Sequence, residues 1–163
     1  MGENQTMTAE KRPEKLALDF EKWGTVTATL MWDEAPETCA AIVEALQKEA
    51  VTADLLHAQF AGSELYFEDF PTDREIPFEN TTLRMDENLF VTNKHPGGVL
   101  AFYVNPKILS FCFVYGEIIP RRFVDVEITL NVFAEIDDKE RAIEIGKQSR
   151  WEGPGAVTVR VVE

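Results

Sequence analysis

Within four residues, Asp33-Glu34-Ala35-Pro36, one hydrophobic period gives way to another, and no other stretch constrains the fold as tightly. Before it, Val26, Ala28 and Leu30 alternate with Thr25, Thr27 and Thr29, the period of a half-buried strand, and Trp32 continues the apolar parity. After it, Cys39, Ile42, Val43 and Leu46 recur at i, i+3, i+4 and i+7, which draws one apolar stripe along a helix. Pro36 suits the first helical position, where its missing N–H costs nothing, and Glu37 complements the positive end of the dipole. The chain must therefore pass from a strand directly into a helix whose apolar face covers a sheet.

Strand patterns dominate elsewhere. Leu16, Leu18 and Phe20 alternate with Lys15, Ala17 and Asp19, and Gly24 turns this strand into the next, giving a hairpin. Two short strands are expected near 55–60 and 63–68, with Ala61-Gly62 as a bend, and another strand or two within 83–92. The acid-rich stretch 64–87, with Pro71 and Pro77, reads as the longest loop. His95-Pro96-Gly97-Gly98 signals a turn before a strand at 99–104. Residues 108–115 (ILSFCFVY) are apolar at both parities, which predicts a central strand covered on both faces and ended by Gly116. Val124, Val126, Ile128, Leu130 and Val132 predict a one-faced strand. A helix capped near Asp137 and stopped by Gly146 follows, and Gly153-Pro154-Gly155 leads into a last strand over 156–162. Eight or so strands with two short helices make the chain mainly β, in a barrel.

At 163 residues the chain is read as one domain over 15–163, behind a disordered polar tail over 1–14. Its 29 acidic and 16 basic residues give a net charge of −13, which disfavours nucleic acid and anionic membrane surfaces as partners. No apolar run approaches the roughly 20 residues of a membrane helix, and the N-terminus lacks a secretory signal, so a cytoplasmic location is expected. Cys39 and Cys112 lie in apolar patterns without metal spacing and read as buried, reduced thiols. His57 and His95 are the only histidines, no acid cluster has the spacing of a calcium loop, and no metal or cofactor is expected.

Taken in order, several motifs resemble a known family. The strand ending in an acidic residue and the x-Pro-x-Thr helix start (Ala35 to Thr38) are similar to the opening of cyclophilins. Leu56-His57-Ala58 stands where cyclophilins carry Phe-His-Arg, and no Gln-Gly-Gly-Asp segment follows. Gly62, Glu64, Tyr66 and Phe67, the Pro96-Gly97-Gly98 turn, Tyr115-Gly116, and Asn131-x-Phe133-Ala134-x-Ile136 resemble bacterial cyclophilin-like families of uncharacterised function. The resemblance spans about residues 15 to 162 and implies a closed cyclophilin-like β-barrel. The arginine that cyclophilins place beside the proline nitrogen is Ala58 here, so prolyl isomerase activity is not expected.

The expected function is a groove that binds a small metabolite or short peptide. The alternatives are a divergent isomerase, a subunit of a small-molecule enzyme, or a structural homo-oligomer with a vestigial cleft. The candidate ligand-binding residues are His57, Gln59, Glu64 and Tyr66, with Tyr115 and Glu117 brought in by closure of the barrel. Polar side chains alternating on strands need partners when turned inward, and recognition of a ligand is one way to provide them.

Overall fold

The computed structural model describes residues 12–81, 98–118, 121–123 and 126–163. The expected tail up to residue 11, the strand at 83–92 and the His95-Pro96-Gly97 turn lie outside the described residues. Among the described residues, eleven strands and two helices follow in the order β1 (Lys15–Phe20), β2 (Gly24–Leu30), α1 (Pro36–Lys48), β3 (Val51–Asp54), β4 (Leu56–His57), β5 (Gly62–Phe67), β6 (Val99–Tyr103), β7 (Ser110–Ile118), β8 (Arg121–Phe123), β9 (Val126–Glu127), β10 (Asn131–Ile136), α2 (Lys139–Glu152) and β11 (Ala156–Val161).

Nine of these strands form one antiparallel sheet in the order β3-β11-β1-β2-β10-β6-β7-β5-β4. Its two edge strands are separated in sequence by Leu55 alone, so the sheet curls into a nearly closed barrel. Closure removes most of the exposed edge that an open sheet would present. β8 and β9 form a separate two-stranded ribbon.

The barrel interior is filled from alternate positions of its strands, including Leu16, Leu18, Phe20, Leu65, Leu100, Phe102, Phe111 and Phe113. The expected stripe on α1 holds: Cys39, Ile42, Val43 and Leu46 are buried in the same cluster. Ala35 offers no side-chain cap for α1, and a distant carboxylate takes that role. Glu79 Oε2 accepts from the Thr38 backbone N–H at 2.6 Å and from its hydroxyl at 2.7 Å. Asn131, wholly buried on β10, donates to the Thr38 hydroxyl at 3.0 Å and to the Pro77 carbonyl at 2.8 Å. The Glu79 backbone N–H donates to the Asn131 side-chain oxygen at 3.2 Å. Helix start, loop and barrel are thereby tied together through one asparagine.

A second apolar cluster lies on the other face of the same strands. Val99 and Ala101 of β6, Cys112, Val114 and Ile118 of β7, and Leu130 and Val132 form it. The expectation that 108–115 is covered on both faces is met, because β7 separates the two clusters.

Several expectations are corrected. β7 runs through Gly116 to Ile118, and between the Gly62↔Ile118 and Glu64↔Val114 pairs the register slips, leaving extra β7 residues opposite Ser63. That is a bulge, which a glycine accommodates. The alternation from Val124 to Val132 does not form one strand: β9 ends at Glu127 and β10 begins at Asn131. Leu130, Asn131 and Val132 are all buried, so both parities there face protein and the one-faced reading fails. The second helix is not short. It begins at the Asp138 cap, whose carboxylate accepts from the Arg141 N–H at 3.0 Å, and continues to Glu152. Its stop is Gly153, at φ 81°, while Gly146 lies in mid-helix against Tyr115. β3, at Val51–Asp54, has no counterpart in the sequence reading.

Candidate functional site

Strand alternation sorts the candidate residues onto two faces. In the β5–β7 pairing Glu64 lies opposite Val114 and Tyr66 opposite Cys112, which places both on the outer-cluster face. Leu65 lies opposite Phe113 and also opposite His57 of β4, so His57 belongs with the interior face. The six candidates therefore do not share one surface. His57 and Tyr115 meet on one side of the sheet, and Gln59, Glu64 and Tyr66 on the other. Glu117 contributes its backbone to β7, and its side chain lies outside the described residues.

The His57–Tyr115 group is small and self-satisfied. His57 Nδ1 contacts the Ala58 carbonyl at 2.8 Å, which makes it the protonated nitrogen, and Nε2 accepts from the Tyr115 hydroxyl at 2.7 Å. The rings meet edge to face at 5.8 Å. Burial pushes the Tyr115 phenol up from its usual range, opposed by the Arg150 charge and by a hydrogen bond with Ser63. Both histidine nitrogens are used within the fold, so this pair locks β4, β7 and α2 together.

The other side holds a cavity of about 270 Å³, lined by Gln59 and Phe60 from the β4–β5 turn, Glu64 and Tyr66 of β5 and Glu68 just beyond it, Tyr103 of β6, Ser110 and Cys112 of β7, and Arg121 of β8. Ile128 and Leu130 add an apolar wall. Glu64 and Ser110 are buried, at 7% and 6% exposure, within the otherwise apolar outer face. Loss of hydration raises the Glu64 carboxyl from about 4.5 to about 7, and a hydrogen bond with the Cys112 thiol pulls weakly the other way. Burial raises Cys112 too, helped by the negative charges of Glu64 and Glu68, so its thiol is no nucleophile at neutral pH. Cys39 is held up to about 12, chiefly by burial, and is equally inert. Both cysteines are free and buried, as their sequence setting implies. Among the described residues no three His, Cys, Asp or Glu side chains converge as metal ligands.

Glu68, Tyr103, Ser110, Cys112 and Arg121 escaped the sequence reading. Ser110 and Cys112 sit at alternate positions of an apolar run, two apart, and that polar parity was the available signal. Glu64 and Tyr66 alternate in the same way along β5, and Glu68 keeps that parity one residue past its end. Arg121 and Tyr103 reach the cavity only through the tertiary fold.

The carboxyl of Glu64 makes a direct prediction. The folded protein keeps this proton up to about pH 7, whereas the unfolded chain releases it near 4.5, so the group's contribution falls as pH rises through that window. The loss amounts to about 3 kcal/mol by proton linkage. Glu64→Gln cannot ionise and should gain up to that amount over the parent above pH 7, while matching it near pH 4. Denaturant titrations across this range measure it, and parallel curves for the two proteins would contradict it.

The family described as "Protein of unknown function (DUF3830)" matches residues 17–161. The chain belongs to this family. No curated protein matches the sequence. Among solved structures, McbB in complex with tryptophan is 18% identical with a TM-score of 0.55, over 90% of this chain and 44% of McbB. The chain thus spans less than half of McbB's length. The hypothetical protein AF2241 from Archaeoglobus fulgidus is 19% identical with a TM-score of 0.53, over 96% of this chain and all of its own. Both likenesses concern the fold. For DUF3830, then, the cavity's own chemistry carries the functional argument.

Proposed function

We propose that this DUF3830 protein binds a small molecule in the cavity on the outer face of its barrel, with Gln59, Glu64 and Tyr66 as ligand contacts. The observation that carries this reading is the buried polar wall of Glu64 and Ser110 in an apolar surface. A carboxyl removed from water costs free energy unless something repays it, and a few convergent polar groups in an apolar cleft are the usual make-up of a ligand site. The cavity volume of about 270 Å³ suits a molecule of one ring or a short chain. McbB, a fold neighbour, was solved in complex with tryptophan, which supports a small-molecule reading. In this reading the protein is cytoplasmic and cyclophilin-like without prolyl isomerase activity, because Ala58 offers no cation to a proline nitrogen. His57 and Tyr115 then hold the barrel and leave recognition to the other face.

An amide-detected NMR titration with one-ring aromatic amines, alcohols and carboxylates tests it. Saturable shifts should centre on Glu64, Tyr66, Tyr103, Ser110 and Cys112. Saturable shifts centred on His57 and Tyr115, or none from any member of the panel, would overturn the assignment.

A further inference from the structure

The cavity's charge balance identifies the class of ligand. Glu64 is buried, and among the described residues no lysine or arginine acts on its charge: its environment consists of lost hydration and the Cys112 thiol. Arg121 lines the same cavity without reaching this carboxyl as a counter-charge. Glu64 and Glu68 both oppose ionisation of the Cys112 thiol, and Arg121 is the one described cationic side chain in the cavity lining. The described titratable or charged groups around the cavity are Glu64 and Tyr66 of β5, Glu68 just beyond it, Tyr103 of β6, Cys112 of β7 and Arg121 of β8. A buried carboxylate without a counter-charge is costly, and an ammonium placed against it supplies that charge in a setting where Coulomb attraction is only weakly screened.

We propose that the ligand is a small organic amine whose ammonium group sits against Glu64, with its apolar body against Tyr66, Tyr103, Ile128 and Leu130. This deepens the small-molecule reading and rests on it. The apolar wall argues for an organic cation over a bare metal ion, because an inorganic ion has no use for Ile128 and Leu130 and finds no third acidic ligand among the described residues. Glu64 enters the complex ionised. Below its folded pKa, binding of the ammonium therefore expels one proton from the carboxyl to solvent, and above it binding expels none.

Isothermal titration of the full chain with benzylamine, benzyl alcohol and benzoate, in two buffers of different ionisation heat, reads both affinity and proton release. Benzylamine should bind about tenfold more tightly at pH 8 than at pH 6, because Glu64 is largely protonated at the lower pH. Close to one proton should leave per ligand at pH 6 and few at pH 8. In Glu64→Gln, affinity should fall at least tenfold at pH 8, and the proton release should vanish. The release is measured on the unaltered protein, so it stands whether or not the variant folds. Binding of benzyl alcohol or benzoate in preference to benzylamine would overturn the amine inference and leave the small-molecule reading intact. Benzylamine binding without proton release, or unchanged by Glu64→Gln, would overturn it too. Silence from all three compounds overturns it, and the wider NMR panel then decides whether the small-molecule reading falls with it.

Discussion

Replacing Asn131 with alanine should cost the fold about 4 kcal/mol, the largest single effect expected outside the hydrophobic core. The side chain is wholly buried and makes three hydrogen bonds, to the Thr38 hydroxyl, the Pro77 carbonyl and the Glu79 N–H. Truncation strands these groups away from water, and each unsatisfied group costs about 1–3 kcal/mol. The Glu79 cap on the Thr38 N–H would loosen as well, since the loop that carries Glu79 loses its anchor. Chemical denaturation measures the loss. A change below about 0.5 kcal/mol, the size of an ordinary surface substitution, would show that the network carries no stability.

Gly146→Ala should cost about 3 kcal/mol, although alanine is the better helix former by about 1 kcal/mol. A Cβ at this position would lie 2.2–2.3 Å from three ring atoms of Tyr115. Tyr115 is buried and its hydroxyl is bonded to His57, so the ring cannot swing aside without breaking the link between β7 and β4. Overpacking of this kind should be relieved when the ring is removed. In the background of Tyr115→Ala, the cost of Gly146→Ala should vanish or reverse, a coupling that a double-mutant cycle reads directly. An equal cost in both backgrounds would mean that the helix does not approach β7 as closely as the geometry has it.

The same two residues show where sequence reading reaches and where it stops. The stripe on α1 was legible because Cys39, Ile42, Val43 and Leu46 report a period set by the helix itself. The β1–β2 hairpin was legible for the same reason, with Gly24 at its turn. Gly146 reads locally as a helix stop, and only the approach of Tyr115 from a strand 31 positions earlier explains a glycine in mid-helix. Asn131 sat inside a valine-rich alternation that looked one-faced, yet Leu130 and Val132 on either side of it are buried as well. A segment covered on both sides loses the polar parity that marks a strand's exposed face.

Half of the candidate set stayed together for a similar reason. Glu64 and Tyr66 reach one cavity because period two on β5 is intrinsic to the strand, and Gln59 joins them from the β4–β5 turn. His57 was grouped with them because a sequence does not reveal which parity of a two-residue strand faces inward. Its pairing opposite Leu65 settled the matter. Cys112 and Ser110 were hidden in an apolar run whose outer face becomes the cavity floor only once β5 lies alongside.

The outer face of the barrel keeps a desolvated Glu64, protonated up to about pH 7, on the wall of an open cavity. Carbon-13 NMR titration of the Glu64 side-chain carboxyl in the free protein tests this most directly. The predicted midpoint is about 7, with the Cys112 environment shifting over the same range. A midpoint near 4.5, the ordinary value for a glutamate, would show that the carboxyl is hydrated and charged at neutral pH, and would contradict the site as described.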